Sequence, residues 1–513
     1  MLDFSADESD CDDPNPWRPH DPVAAVSAIV VGVLAIPLFW AVHFSLTDDG
    51  YITLDYARTL AYHGTWGMVP HYAANAATSP LNVLILAAGI FVTHRPLLAL
   101  GIEFVVCNAA LAWCVARVAR VLEISVLISL LGVALILLNP FVLASLGLES
   151  TLLIALLGFL LLYAVERRPN AFGVASGFAL VARPDMILFI IPLVLSTHAL
   201  RRGWLTIARN SVLVAAIWFV PRWFAGSAVS DTFVWKTLQQ KFCASCPHFG
   251  DGPWQFIQGT RSKAWFSFAP VVIAAAAGIA WGIVYIVRRS RPDPRLLPVV
   301  ALGIGGAIYY GAYAALNVPP YHWYYVPTLA STSIVIGIVA AFVLHLAKLH
   351  SRGVPIATSA CAMVVVVLAG QAVTVVHHGL PSRREPIIFD NWAEPAQYAA
   401  VGRALRSRVG DKTVASPGEI GTLAFYCHCK IIDLFSDERF AVPLINERIR
   451  KAGPIMKWLL QLNYRNLNRR TGPYPLDYYL TWDPGWVSTT GDPNVWNVWA
   501  PHRGFGHFTL HPR

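Results

Sequence analysis

Charge is scarce in this chain. Only 13% of its 513 residues are Asp, Glu, Lys or Arg, against about a quarter in soluble proteins, which excludes an ordinary soluble globular class. No Gly-rich phosphate loop, no G-x-S-x-G and no H-E-x-x-H is present, so the chemistries those motifs support have no foothold. Internal repeats, coiled-coil heptads and low-complexity tracts are missing. The net charge of +9 comes without a basic stripe interleaved with aromatics, so nucleic acid is not an expected partner. No small-residue cleavage site follows the first apolar run, and the residues before it are acidic (Asp3, Asp7, Glu8, Asp10, Asp12, Asp13). That run is therefore expected to stay as a helix rather than be removed as a signal peptide.

What is present is a succession of apolar runs, with 56% of residues hydrophobic. Runs broken by charges, Pro or Gly predict spans at 23–44, 97–116, 124–143, 150–165, 171–182, 185–200, 210–226, 265–287, 296–316, 325–347 and 354–376, each judged against the roughly 20 residues that cross a bilayer. Several are short, 171–182 most clearly, because Arg183-Pro184-Asp185 ends it. Broken helices are tolerated where protein or a cavity satisfies their backbone.

Arg and Lys in short loops mark the cytoplasmic side. Arg117, Arg120, Arg167, Arg168, Arg201, Arg202, the cluster from Arg288 to Arg295, Lys348 and Arg352 then lie inside with the N-terminus. On that basis 79–93 is an interfacial or re-entrant helix, while 45–96, about 227–264 and everything after 377 face outward. The expected fold class is mainly α, a polytopic membrane protein of about 11 spans. Three parts are expected: a disordered cytoplasmic tail (1–22), a transmembrane catalytic domain (23–376) and a small extracytoplasmic α/β domain (377–513). The last combines an amphipathic helix, AQYAAVGRALRSRVG, with short β-like runs such as KTVASP.

The segment LTDDGYITLDYARTL places Asp48 and Asp49 just where the first apolar run ends. On one reading the pair marks the water boundary and caps a helix. On the other it is functional, since carboxylates at a membrane exit are costly to desolvate. Further charges fall on the same expected side: Glu149 in LGLESTLL, Arg183 and Asp185 in ALVARPDMILF, and His322 in VPPYHWYYVP. They suit either a reaction site or a structural ion-pair network such as Glu149 with Arg183.

Taken in order, the apolar first helix, DDGYI with its R-x-L helix, TSPLN, G-L-E-S and A-R-P-D resemble the GT-C glycosyltransferases. Within that group they are most similar to actinobacterial cell-wall arabinofuranosyltransferases and related mannosyltransferases. The resemblance is most specific over 46–82 and 145–186 and weak after 376. It departs from the family at Tyr51 and Ala77-Thr78-Ser79, where members often show an Arg after the acids and a Tyr-Thr-Asn-like segment. It implies an inverting enzyme of the cytoplasmic membrane that moves a sugar, arabinofuranose or alternatively mannose, from a polyprenyl-phosphate donor to an envelope polysaccharide or lipoglycan.

By that resemblance Asp48 aligns with the catalytic acid and is the expected base, and Asp49 orients the acceptor. A divalent cation at Asp48 and Asp49 is the one metal the residues invite. Substrate contacts are expected from Arg58, Thr78, Glu149, Arg183, Asp185, Arg261, Lys263 and His322. Arg183 stands first for the phosphate because a guanidinium binds it through two bonds at once. Arg261 and Lys263 suit lipid head groups equally well, and the aromatics around His322 suit an interfacial belt. Two rival classes are a lipid or glycan transporter, which would show inverted repeats, and a non-catalytic envelope scaffold.

Cys243, Cys246, Cys427 and Cys429 fall on the expected outer side, where Cys243 and Cys246 can close a small disulfide. A zinc site from C-A-S-C-P-H with C-H-C is not expected, because C-H-C lacks zinc-ligand spacing and the two belong to different segments.

Overall fold

Pro22 and Asp21 start the first helix: the Asp21 carboxylate accepts the Val23 and Ala24 N–H groups at 3.1 and 3.2 Å, the donors a helix start leaves unpaired. That helix, α1 (Pro22–Val42), opens a largely helical chain. The computed structural model describes residues 21–234, 236, 248–260, 262–288, 293–349, 354–378, 380, 386–388, 391–470, 472–488, 492–501 and 503–513. Arg261, the Cys243 and Cys246 pair and the N-terminal tail lie outside the described residues.

After α1 come α2 (Asp48–His63), α3 (Pro80–Thr93), α4 (Pro96–Val121), α5 (Val126–Leu137), α6 (Pro140–Ala144), α7 (Ser150–Val165), α8 (Pro169–Ala182), α9 (Ile187–Ser196), α10 (His198–Arg202) and α11 (Trp204–Phe224). Then follow α12 (Gly252–Thr260), α13 (Ser262–Arg288), α14 (Leu297–Leu316), α15 (Val326–Leu349) and α16 (Val354–His377). Among the described residues six stretches are long and apolar enough to cross a membrane: Pro22–Val42, Pro96–Val121, Trp204–Phe224, Lys263–Ala280, Pro294–Leu316 and His322–Ala347. The chain is a multi-pass membrane protein. Several other apolar runs form shorter helices, α5, α7 and α8 among them. The run at 79–93 is the 14-residue α3.

α7 separates two polar ends. At its C-terminal end Arg117 donates to Glu166 at 2.7 Å and to Asp21 at 3.4 Å, with Arg168 and Arg120 at the rim. Its N-terminal end carries Glu149. The helix's 16 residues hold these charges roughly 24 Å apart.

The C-terminal part adds α17 (Pro395–Val409), β1 (Thr413–Ala415), α18 (Gly421–Cys427), β2 (Lys430–Ile432), α19 (Glu438–Lys451), α20 (Pro454–Asn463), β3 (Tyr478–Pro484), β4 (Val495–Ala500) and β5 (Gly504–Pro512). Its strands form one sheet, ordered β2-β1-β3-β5-β4. β1 runs parallel to β2 and β3 (Val414 opposite Ile431), and β5 runs antiparallel to β3 and β4 (Leu480 opposite Leu510). Alternate side chains such as Phe508 and Leu510 point into its core, as the two-residue strand period requires. A disulfide joins Cys427 and Cys429. One apolar core continues from α2 (Leu54, Tyr56) into this part (Val414, Leu423), so the sheet region is seated on the helices rather than tethered to them.

Candidate active site

Consecutive residues on a helix point about 100° apart, and this splits the acidic pair at the start of α2. Asp49 lies with Ile52 and Thr53, one turn on, along a narrow cleft that is also lined by Ala76, Ala77, Thr78, Leu148, Glu149, Thr232, Lys236, Trp323 and Phe435. Asp48 turns instead to the C-terminal part. Both of its oxygens are taken there: Oδ2 accepts the N–H groups of Ile420 and Gly421 at 3.1 and 3.0 Å, and Oδ1 that of Thr422 at 2.7 Å. The carboxylate thus caps the start of α18, where the helix dipole favours negative charge. Asn391 completes the joint, donating to the Leu46 carbonyl at 2.9 Å while its Oδ1 accepts the Asp48 N–H at 3.3 Å.

Gly50 follows the pair and meets Gly147 backbone to backbone. That contact sets the LGLES loop against α2, so Glu149 enters the cleft that Asp49 lines. Glu149 accepts from Arg183 at 2.8 Å. Arg183 ends α8, in extended conformation ahead of Pro184, as a residue preceding proline prefers. Its other nitrogens hold Asp185 at 2.6 Å and Tyr313, and Asp185 also accepts from Tyr313 and, at 3.3 Å, from Tyr309.

Lys236 lines the same cleft, and its charge acts on Asp49. Its ammonium sits 5.3 Å from the ring centres of Tyr321 and Tyr324 and 5.6 Å from that of Trp323, an aromatic cage that attracts a cation. Tyr324 also lies 5.3 Å from the Arg183 guanidinium. Burial alone would lower the Lys236 pKa, but Tyr324 and the Asp49 charge outweigh it and hold the ammonium protonated, above its ordinary value. Asp49 is held above the usual carboxylate range, mainly by burial; Lys236 pulls it back down and the Glu149 charge raises it. Burial raises Asp48 to about 6, offset by the Thr422 N–H bond and reinforced by the Asp49 charge.

This is an anionic acceptor beside a caged cation, fed by the α2 start, the LGLES loop and the PYHWYYVP turn. The fold is similar to that of solved structures. ArnT from Cupriavidus metallidurans bound to undecaprenyl phosphate aligns with a TM-score of 0.52 at 13% identity, covering 94% of this chain and 97% of that one. The chain has the GT-C fold. The Archaeoglobus fulgidus oligosaccharyltransferase tethered with an acceptor peptide aligns at TM-score 0.50 and 11% identity, over 89% of this chain and 69% of its own. No family model matches the chain, and no curated protein does.

On this GT-C frame the residues expected at the site divide into groups. Asp49, Thr78 and Glu149 line the cleft, and Arg183 and Asp185 brace Glu149 from behind. Arg58 is elsewhere: it pairs with Asp55 one turn earlier and donates to the Phe425 carbonyl at 3.0 Å. Lys263 donates to the Ile387 carbonyl at 3.0 Å and meets His378 at 3.2 Å. His322 is fully buried, edge-on to Phe141 and Trp323. A cation shared by Asp48 and Asp49 would need both carboxylates to face one point, but Asp49 faces the cleft and Asp48 the start of α18, so the pair does not fit that metal. Among the described residues no group of three or more His, Cys, Asp or Glu is placed to hold one.

Lys236 was not foreseen. It sits in FVWKT, with no neighbouring motif, and its partners lie some 85 residues on in PYHWYYVP. An isolated Lys between apolar residues, on the side expected to carry substrate, was the one available signal.

Proposed function

We propose that the protein transfers a sugar from a polyprenyl-phosphate donor to a hydroxyl of an envelope glycan, on the side of the membrane that carries the C-terminal part. The observation that carries this reading is the shared cleft of Asp49 and Lys236. Asp49 accepts the proton of the acceptor hydroxyl as its oxygen attacks the anomeric carbon. The bond from that carbon to the phosphate oxygen breaks, the electron pair leaves with the phosphate, and Lys236 stabilises the charge that develops. A single displacement by an incoming hydroxyl inverts the anomeric centre.

Glu149 orients the acceptor, and Arg183 with Asp185 fixes Glu149. Thr78 and Phe435 shape the cleft. Because Phe435 belongs to the C-terminal part, we assign that region, from about residue 377, a share in acceptor choice. The other polar end collects Arg117, Arg120 and Arg168, the signature of a cytoplasmic face, which supports placing the cleft outside. The motif resemblance favours arabinofuranose as the sugar. It was Asp48 that the resemblance aligned with the base; its engaged oxygens move that role to Asp49.

The test uses the full chain in lipid nanodiscs with labelled polyprenyl-phosphate arabinofuranose and an arabinan oligosaccharide, run in parallel with the mannose donor. Label should pass to the oligosaccharide with release of polyprenyl phosphate. Intact donor with either sugar would contradict the reading.

A further inference from the structure

α20, with sequence PIMKWLLQLN, is apolar on two sides. Leu460 is buried and Met456 half-buried against the core. On the other side Ile455, Trp458, Leu459 and Leu462 are exposed, Ile455 at 78% and Trp458 at 61%. Their spacing, i, i+3, i+4 and i+7, makes one continuous stripe along the helix. A surface helix in water would put polar residues there.

The position of the helix names what covers this stripe. Its end is tied to the end of α11: Trp223 donates from its indole to the Leu462 carbonyl at 2.7 Å, Asn466 donates to the Trp223 carbonyl at 2.9 Å, and the Asn463 side-chain oxygen accepts the Ala228 and Val229 N–H groups at 3.0 and 2.9 Å. α11 is long and apolar enough to cross a membrane and presents Ile217, Val220 and Phe224 outward, Phe224 at 68% exposure. The α20 stripe therefore extends the lipid-facing surface of α11 at the level where that helix leaves the bilayer. Exposed cations flank it in the chain, namely Arg450, Lys457, Arg465 and Arg470, with Lys451 paired to Glu447, and residues 448–470 contain no acid. Apolar and Trp side chains on one face with Lys and Arg around them define a helix that lies in the membrane surface.

We propose that α20 is a membrane-surface anchor of the C-terminal part, with Ile455, Trp458, Leu459 and Leu462 in the acyl boundary and its cations on anionic lipid head groups. It rests on α11 crossing the membrane and not on the glycosyltransfer reading. α19 connects this anchor to Phe435, three residues before its start, so the bilayer surface sets the depth of one wall of the cleft.

The test is photolabelling of the full chain in nanodiscs rich in phosphatidylglycerol that carries an acyl-chain diazirine, with adducts mapped by peptide mass spectrometry. Adducts are expected on 454–463 as well as on 217–224 of α11. Trp458→Ser with Leu459→Ser should lower the 454–463 adducts by about fivefold or more, as removal of the buried apolar area requires, and leave 217–224 unchanged. Exchanging phosphatidylglycerol for phosphatidylcholine should lower labelling of 454–463 selectively. Adducts on 217–224 with none on 454–463 would overturn the anchor, whether a protein partner or water covers the stripe. Equal labelling in both lipids would overturn the anionic head-group contact.

Discussion

Gly50 and Gly147 touch with no room for a side chain between them. A methyl carbon on Gly147 would stand 3.0 Å from the Gly50 Cα, and one on Gly50 would stand 2.9 Å from the Leu146 carbonyl oxygen. Gly147 also holds φ +92°, a conformation that L side chains rarely adopt. This contact, made by the residue after the acidic pair and a residue two before Glu149, sets the spacing of the two carboxylates in the cleft.

Gly147→Ala should therefore separate Asp49 from Glu149. Backbone strain of about 1–3 kcal/mol is expected, together with a displacement near the ångström scale that lowers turnover by roughly 100-fold. Turnover and thermal unfolding of the purified variant check both. Unchanged turnover would show that the glycine contact does not set the site.

Asp48 has a different task from its neighbour. Asp48→Ala removes the acceptor for three N–H groups at the start of α18, a loss of about 1–3 kcal/mol for buried donors left unpaired. Hydrogen exchange at Ile420, Gly421 and Thr422 should then speed up by roughly 10- to 100-fold, the same energy read as an opening equilibrium. Gly421→Ala tests the joint with both carboxylates kept, because its methyl would run into the Asp48 carbonyl oxygen and the Ile52 backbone nitrogen. It should loosen the same amides.

The pH profile distinguishes the groups around the base. As the proposed base Asp49 acts unprotonated, so the rate should rise with pH through its pKa, which burial holds above the ordinary 3.8. Lys236 lowers that pKa and Glu149 raises it. In Lys236→Met the acid limb should move to higher pH, and in Glu149→Gln to lower pH. A limb that stays in place in both would place the titrating group elsewhere.

Arg183 holds Glu149 through Nη1 and Asp185 through Nε and Nη2, and Nη2 also donates to Tyr313. Arg183→Met leaves Glu149 and Asp185 without their partner in a buried site, and a loss of about 3–5 kcal/mol is expected, read as a lower unfolding midpoint in detergent. Arg183→Lys should recover little, since a single ammonium cannot reproduce the planar fork.

Much of this architecture was legible in the chain. Apolar runs marked the helices, Arg183-Pro184 marked a break, and LGLES and ARPD marked the charges that meet behind the cleft. The division of labour between Asp48 and Asp49 was legible in principle, because a helix starting at the pair must point them in different directions. Which one faces the cleft was not, since it depends on α18, more than 370 residues away in sequence. Arg58 is expected among the substrate contacts, although its spacing from Asp55 already suits a helical ion pair. Lys236 was beyond reach, because its role comes from a cage of aromatics in another segment, and a single Lys carries no periodicity.

The central claim, that Asp49 is the base and Asp48 the joint, is tested most directly by sugar transfer from labelled polyprenyl-phosphate donor in Asp49→Asn and Asp48→Asn, with donor binding measured alongside. Asp49→Asn should lose roughly 100- to 10,000-fold in turnover, the span general-base catalysis contributes, while still binding donor. Asp48→Asn should keep measurable transfer with faster exchange at 420–422. Full transfer by Asp49→Asn, or abolished transfer by Asp48→Asn with the 420–422 amides still protected, would contradict the account.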